Sequence, residues 1–373
     1  MKNKLALGKR ELNTAQVTLR FRLIRTAISL LLGLAVAFLL ILWVSDNPMR
    51  DMSNLLVGPL SNTHRIAVLV NMFVPLLFTG TAVSLMFSAG QINLAAEGAF
   101  FSGAVVGTCV ALIPGIPFVL HFLLCALAAA ISGAFFTGIP ALMNAKFKVM
   151  TVVSSLMINY VALFAGLYII LNIVRDPTAG FEASYKFQKS AQLPVLIPGT
   201  TIHVGLIIGF LMVFLGWFIQ YKTGFGYQYR TIGKNPRFAK FSGIPVASTL
   251  VAVQMLGGAI AGIGGATEVL SLYDRFSYGG LTNHGWDGIM MAVLARNNPK
   301  YIPLAALFLA YIRTSADVLN RTSQVPTEVV NIVQAVIIIF IAAERFLYGW
   351  EHRSIVKLSE QRLEAQNEQL QEQ

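Results

Sequence analysis

The chain has 373 residues, 55% of them hydrophobic and only 12% charged, with a formal net charge of +11 at pH 7. A soluble domain is about one-quarter charged, so the composition excludes an ordinary water-soluble fold and predicts an all-α polytopic membrane protein. The positive charge does not read as a nucleic-acid footprint: the basic residues gather in short segments beside apolar runs, as in cytoplasmic loops, and membrane lipid is the expected anionic partner.

Residues 1–25 form a basic N-terminal segment that includes Lys2, Lys4, Lys9, Arg10, Arg20, Arg22 and Arg25. The apolar run that follows, 26–44, is too long for a signal-peptide core and lacks an A-x-A-like cleavage site. It reads as a retained anchor, and the chain as starting in the cytoplasm. A helix needs roughly 20 apolar residues to cross the hydrocarbon. Later stretches of that kind are 66–88, 94–113, 117–139, 152–174, 203–221, 246–270, a short one at 285–295, 302–319 and 325–346, about ten spans with the first. Alternating them puts Lys146, Lys148, the segment 222–245, Arg296, Lys300 and the C-terminus inside. The outer segments 45–65 and 175–202 then carry Asp46, Asp51, Asp176 and Glu182, so charge bias and span count agree. If the eighth stretch dips in and returns, every later segment changes side. Residues 26–347 are therefore the transmembrane domain, and 348–373 a polar Gln/Glu-rich cytoplasmic tail.

Two polar interruptions match. Gly90-Gln-Ile-Asn93-Leu-Ala-Ala-Glu97-Gly98 opens the third span and Gly280-Leu-Thr-Asn283-His-Gly-Trp-Asp287-Gly288 the eighth, both reading G-x-x-N-x-x-x-[DE]-G. The first follows an inward-going helix and the second an outward-going one. That is the pattern of an inverted repeat, spans 2–5 against 7–10. Glycine lets a helix break, and Asn or an acid can satisfy the freed backbone groups. Broken helices are tolerated at membrane depth only where they line a cavity or are buried in protein. A carboxyl there costs about 2.5–3.5 kcal/mol on insertion scales, which a pathway or a partner would justify. Gln91, Asn93, Glu97, Asn159, Asn283, Trp286 and Asp287 are the candidate pathway residues. Two plainer readings stay open: coincidence in a chain with 31 glycines, and Glu97 and Asp287 as helix caps with no role in substrate handling. Asn159 serves equally well as an interhelix hydrogen-bonder and Trp286 as an interfacial belt residue.

The segment 222–245, KTGFGYQYRTIGKNPRFAKFSGIP, holds five basic residues and no acid. Asn235 is a good N-cap, Pro236 fits the first helical position, and Gly243 with Pro245 behind it marks a left-handed stop. The segment predicts one short helix over 236–242, with Phe238 and Phe241 on one side and Arg237 and Lys240 beside them. It reads either as a docking knob for a soluble partner or as a topology anchor obeying the positive-inside rule.

No G-x-x-x-x-G-K-[ST] occurs; Gly226 to Gly233-Lys234 has the wrong spacing and runs into Asn235, so ATP binding through a P-loop is not expected. Cys109 and Cys125 lie in apolar stretches, and the five histidines show no ligand spacing, so no metal is expected. Glu97, Glu268, Asp287, Asp317 and Glu328 form no obvious dyad, and no catalytic residue is expected.

These motifs carry a resemblance. GYQYRTIGKNPRFAKFSGIP is similar to the cytoplasmic coupling segment of the permease subunits of bacterial ABC importers, in the branch that handles simple sugars and nucleosides. Gly226, Arg230, Gly233, Asn235, Pro236, Ala239, Gly243 and Ile244 match that family's pattern. GQINLAAEGAFFSGA resembles its first-half motif and GWDGIMMAVLARNNP its second-half motif. Ala95 stands where the family commonly has Gly, and the second-half motif leans toward the nucleoside members. The resemblance covers about residues 66–347. It implies a transport subunit with no cofactor of its own, paired with a second, non-identical permease. A tandem ATPase would bind ATP-Mg, and an extracytoplasmic binding protein would deliver the substrate. The ATPase-coupling residues would be Gly226, Arg230, Gly233, Asn235, Pro236, Arg237, Phe238, Ala239, Lys240, Phe241 and Gly243, in a bacterial cytoplasmic membrane with both termini inside. The competing expectation is a self-sufficient proton-coupled transporter that titrates Glu97 or Asp287.

Overall fold

The computed structural model describes residues 47–323 without a break, with scattered positions between 35 and 45 and between 326 and 336. Segments 1–25 and 348–373 lie outside the described residues, and the expected first and last spans fall where at most scattered positions are described. In chain order the helices are α1 (Pro48–Val57), α2 (Thr63–Ser88), α3 (Ala96–Ala111), α4 (Phe118–Phe147), α5 (Thr151–Asn172), α6 (Gly205–Lys222), α7 (Gly224–Lys234), α8 (Pro236–Phe241), α9 (Val246–Leu272), α10 (His284–Leu294) and α11 (Ile302–Thr322). Among the described residues there is no named strand, only the bridges Arg175–Ser184 and Val195–His203.

Among the described residues, six helices are long and apolar enough to cross a membrane: α2, α4, α5, α6, α9, and α11 with the short turn before it. The third and eighth expected spans are shorter than anticipated. At 1.5 Å per residue, α3 and α10 reach only about 24 Å and about 17 Å, less than the roughly 30 Å of hydrocarbon. Both follow a break of extended or turning chain, which uses up the apolar residues the sequence offered.

The chain divides into two units, 1–56 with 316–373, and 57–315. In the first, Asn54 Nδ2 donates to Thr322 Oγ1 at 3.1 Å and Ser45 Oγ to Asp51 Oδ2 at 2.7 Å. The second contains all of α2–α10 and is the body described below.

At the centre of that body is α9, whose run GGAIAGIGG replaces side-chain bulk with backbone contact. A Cβ on Gly258 would collide with the Gly133 carbonyl of α4. One on Gly262 would meet Ala129 of α4, and one on Gly265 the Phe100 carbonyl of α3. Lipid is as apolar as leucine, so helices in a bilayer gain by close van der Waals approach rather than by apolar burial, and small residues permit it. On another side of α9, Val253, Ile260 and Ala261 pack with Val74, Phe78, Ala82 and Leu85 of α2. Outward faces of α4 and α5 leave Leu127, Ile131, Phe135 and Phe164 exposed, as lipid-facing or subunit-facing surfaces require.

The two ends of the body are chemically distinct. At one end lie the C-termini of α2, α4, α6 and α10 together with α7 and α8. There Ser88 Oγ and Gln220 Nε2 both donate to the Asn297 carbonyl, at 3.1 and 2.8 Å. At the opposite end the loop after α5 pairs with the loop after α9: Ser184 N–H donates to Phe276 O at 3.0 Å and Phe187 N–H to Asp274 O at 2.9 Å. Asp176 and Arg275 join the same two loops at 3.2 Å.

Candidate functional site

The break before α3 starts at Gly90, whose φ of 75° reverses the chain after α2. Asn93 then closes a local turn, accepting from Ala95 N–H at 3.0 Å and donating to the Thr137 carbonyl of α4 at 3.1 Å. Asn159 of α5 bridges the gap from outside. Its Oδ1 accepts from Gly98 N–H at 2.9 Å, and its Nδ2 donates to the Leu94 carbonyl at 3.0 Å. Both asparagines are buried and spend their amides on backbone groups freed by the break.

The break before α10 has the same residue pattern but a different backbone. Its left-handed residue is Asn283, φ 66°, not the motif's first glycine. Asparagine tolerates that region better than most non-glycine residues. The donors at this helix start are satisfied across the repeat. Glu97, in the first turn of α3, accepts from Asn283 N–H at 2.7 Å, Gly285 N–H at 2.6 Å and Thr282 Oγ1 at 3.3 Å. A carboxylate at a helix N-terminus meets both the orphan amides and the positive end of the helix dipole. Gly285 lies so close to the Glu97 backbone that a Cβ would collide with it.

Asp287 does not return the favour to α3. It is 1% exposed and its Oδ1 meets Arg313 Nη2 of α11 at 2.5 Å. Of the expected pathway residues, Glu97, Asn283 and Asp287 thus gather at the α3–α10 junction, and Trp286 of α10 is 39% exposed. Asn93 and Asn159 brace the first break. Gln91 sits apart, bonded to Thr151 Oγ1 at 2.9 Å on the wall of a cavity of about 740 Å³ beside Arg237 and Lys240.

Three side chains near this junction were not singled out from sequence. Glu268 of α9 and His284 of α10 pair at 3.1 Å, and Arg313 anchors Asp287. With Asn71, Tyr273 and Tyr278 they surround a second cavity of about 560 Å³, at the end away from α7 and α8. Glu268 and His284 are sixteen residues apart with a break between them, so linear spacing gives no hint of the pair. At that same end Thr178 donates to Asp176 from its N–H and hydroxyl at 2.9 and 2.6 Å. With Arg275 opposite, these bonds hold the Asp176 carboxyl below its ordinary range.

The segment 222–245 contains two helices, not one. The additional helix is α7, started by Thr223, whose hydroxyl accepts from Gly226 N–H at 3.0 Å. Gly226 abuts the backbone at the end of α6, and Arg230 bonds the Gly226 carbonyl and lies over the Tyr221 ring at 4.8 Å. Tyr229 drives into the core between α2 and α9, and burial raises its phenol above the ordinary value. Gly233 presses on the first break: a Cβ there would meet Ser88, Ala89 and Gly90, all through backbone atoms.

The expected helix then follows as α8. Asn235 Oδ1 accepts from Phe238 N–H at 3.0 Å, Pro236 holds the first position, and Gly243 leaves with φ 78°. Ala239 is buried, whereas Arg237 and Lys240 are exposed, Phe238 is 56% exposed and Phe241 90%. The caps anticipated from sequence are those observed, because each depends on a residue only a few positions away.

Among known proteins, the chain is 30% identical to "Glucose ABC transporter permease protein TsgB13" of Haloferax volcanii, over 86% of this chain and 87% of that one. It is 31% identical to "Guanosine ABC transporter permease protein NupP" of Bacillus subtilis, over 86% and 94%. It is also 26% identical to a second Bacillus subtilis protein, "Guanosine ABC transporter permease protein NupQ", over 64% and 77%. Residues 65–342 match the family described as "Branched-chain amino acid transport system / permease component". The six apolar helices, the paired helix breaks and this match over most of the chain lead to one conclusion: the protein is a multi-pass membrane protein belonging to that permease family.

Proposed function

We propose that this chain is the membrane-spanning permease subunit of an ATP-driven ABC importer that moves nucleosides or simple sugars by alternating access. The single observation that carries the reading is α8 and its backing. An exposed Phe238/Phe241 pair, capped at both ends of its helix, is mechanically continuous through Gly233 with the break at Gly90. A push on α8 would pass along the chain through Asn235 to Gly233 of α7, whose backbone contact with Ser88–Gly90 carries it to the α2–α3 hinge. The coupling residues are Gly226, Arg230, Gly233, Asn235, Pro236, Arg237, Phe238, Ala239, Lys240, Phe241 and Gly243. A tandem ATPase that binds ATP-Mg would grip this surface, biasing a two-state membrane body from a remote site.

In this reading residues 26–347 form the permease domain with about ten spans and both termini in the cytoplasm, flanked by the basic segment 1–25 and the tail 348–373. Spans 2–5 and 7–10 are an inverted repeat. That proposal is supported by reciprocal packing: α3 lies along α9, the first helix of the second half, and α10 lies along α2, the first helix of the first half. Gln91, Asn93, Glu97, Asn159, Asn283, Trp286 and Asp287 frame the path. Asn93, Asn159 and Glu97 hold the half-helices by their bonds, and Trp286 and Asn283 offer exposed surface. Glu97 is committed to two backbone N–H groups, which speaks against its carrying protons. Similarity to two distinct guanosine permeases of one organism supports pairing with a second, non-identical permease subunit. A binding protein would supply substrate at the end bearing Asp176 and Arg275.

The test is uptake of labelled guanosine and D-glucose. Cells expressing the chain with a tandem ATPase and binding protein from neighbouring genes accumulate one of them in an ATP-dependent manner, and liposomes holding the chain alone accumulate neither. ATP-independent accumulation by the isolated chain refutes the proposal.

A further inference from the structure

The cavity between α2, the end of α9, the loop 273–283 and Arg313 holds more hydrogen-bonding capacity than the protein uses. Glu268 accepts from His284 Nε2 through Oε1; its Oε2 makes no close hydrogen bond although the residue is only 6% exposed, and the chain group that faces this carboxylate is the Tyr278 hydroxyl, itself open. His284 leaves Nδ1 open, and Arg313, bound to Asp287 through Nη2, leaves Nε open. Asn71 donates to Thr201 Oγ1 at 2.7 Å and keeps Oδ1 free. Buried polar groups are normally paired, so open atoms gathered on one cavity wall, the Tyr278 hydroxyl among them, leave room for a hydrogen-bonding partner from outside the chain.

The chemistry of that partner is constrained. Open acceptors (Glu268 Oε2, Asn71 Oδ1) and an open donor (Arg313 Nε) stand together, with His284 Nδ1 able to serve either way. A hydroxyl group both gives and takes a hydrogen bond and can match such a mixed set. Three carboxylates, Glu97, Glu268 and Asp287, stand around Arg313 and His284, and this acidic surplus disfavours an anion such as a phosphate ester. Among the described residues there is no metal-ligating group of three. Tyr273 and Tyr278 meet edge to face at 5.6 Å beside the opening, offering aromatic surface to the C–H faces of a sugar ring. A volume of about 560 Å³ lies within the range of small-ligand sites.

We propose that this cavity is a binding site, within a single subunit, for an uncharged polyhydroxylated ring, a free monosaccharide or the ribose of a nucleoside. Glu268 and Arg313 clasp its hydroxyls. The site rests on the importer reading and gives it a waypoint between the binding protein and the α3–α10 junction. Glu268 and Arg313 each also hold one arm of that junction, through His284 and Asp287, so occupancy is transmitted to the base of α10.

The test uses purified full-length chain carrying Ser277→Cys at the exposed mouth, reacted with a maleimide, against unsubstituted chain as the background from Cys109 and Cys125. D-ribose, D-glucose and guanosine are the probes. At least one slows modification threefold or more, and Glu268→Gln removes that protection. Gly279→Trp, whose Cβ points into open space and so leaves the fold intact, removes it as well by filling the mouth. No protection by any probe overturns the site, as does protection that survives both substitutions. Uptake in cells is scored separately. Uptake without protection sinks this site and spares the importer; protection without uptake does the reverse.

Discussion

Glu97→Ala is expected to be among the most damaging single substitutions in the membrane body. The side chain is 1% exposed and accepts two backbone N–H bonds at 2.7 and 2.6 Å from the start of α10. Removing it strands the buried Gly285 donor, while the Asn283 donor, on an exposed residue, can turn to water. A buried group left unsatisfied costs about 1–3 kcal/mol, and that is the cost at Gly285. Loss of the carboxylate from the N-terminal end of a helix dipole adds about 0.3–1 kcal/mol. Against a typical total stability of about 5–15 kcal/mol this is a large share. The midpoint of thermal unfolding in detergent, followed by a thiol-reactive dye on Cys125, falls by about 3 °C or more, at roughly 2–4 °C per kcal/mol. Glu97→Gln keeps one carbonyl acceptor and falls between the two. If Glu97→Ala unfolds within 1 °C of the parent, the cross-repeat cap contributes nothing and the bracing account is wrong. If Glu97→Gln leaves the midpoint unchanged while abolishing pH-dependent transport, Glu97 titrates and the proton-coupled reading replaces this one.

Gly233→Ala forces a Cβ into the backbone of Ser88–Gly90, an overpacking that costs about 1–3 kcal/mol; substrate uptake drops at least tenfold while partner ATPase activity persists, and normal uptake would break the proposed α8-to-hinge path. Phe241→Ala, at a side chain 90% exposed, leaves the unfolding midpoint unchanged but weakens co-purification of the ATPase; undiminished co-purification removes α8 as the docking site. For Asp176 the sign is set by a carboxyl held below its ordinary value. Its stabilisation of the loop is complete above the usual carboxylate range and is lost as pH falls through the lowered native value. Hydrogen exchange at Ser184 and Phe187 therefore stays slow at pH 5, and Asp176→Asn speeds it there; identical rates in both proteins would show that the ion pair does not hold the loop.

What the amino-acid sequence determined by itself had a short reach. Membrane class followed from composition, the long spans from apolar runs, and the start and stop of α8 from Asn235, Pro236 and Gly243, because each effect acts within a few residues. The polar breaks before α3 and α10 were legible for the same reason, since an interrupted apolar run shows in the linear order, although the second turns at Asn283 rather than at Gly280. The extra helix α7 was not legible, although its cap, Thr223 on Gly226, is local, because the contacts that hold it in place are remote: Tyr229 in the α2–α9 core and Gly233 on Gly90. Nor was the role of Glu97, since its partners Asn283 and Gly285 lie in the other half of the chain. The Glu268–His284 and Asp287–Arg313 pairs likewise exist only once α9, α10 and α11 have packed. Tertiary structure decided which polar groups are spent on holding broken helices and which remain open, because in a medium without water every hydrogen bond must be made with whatever residue the fold brings near.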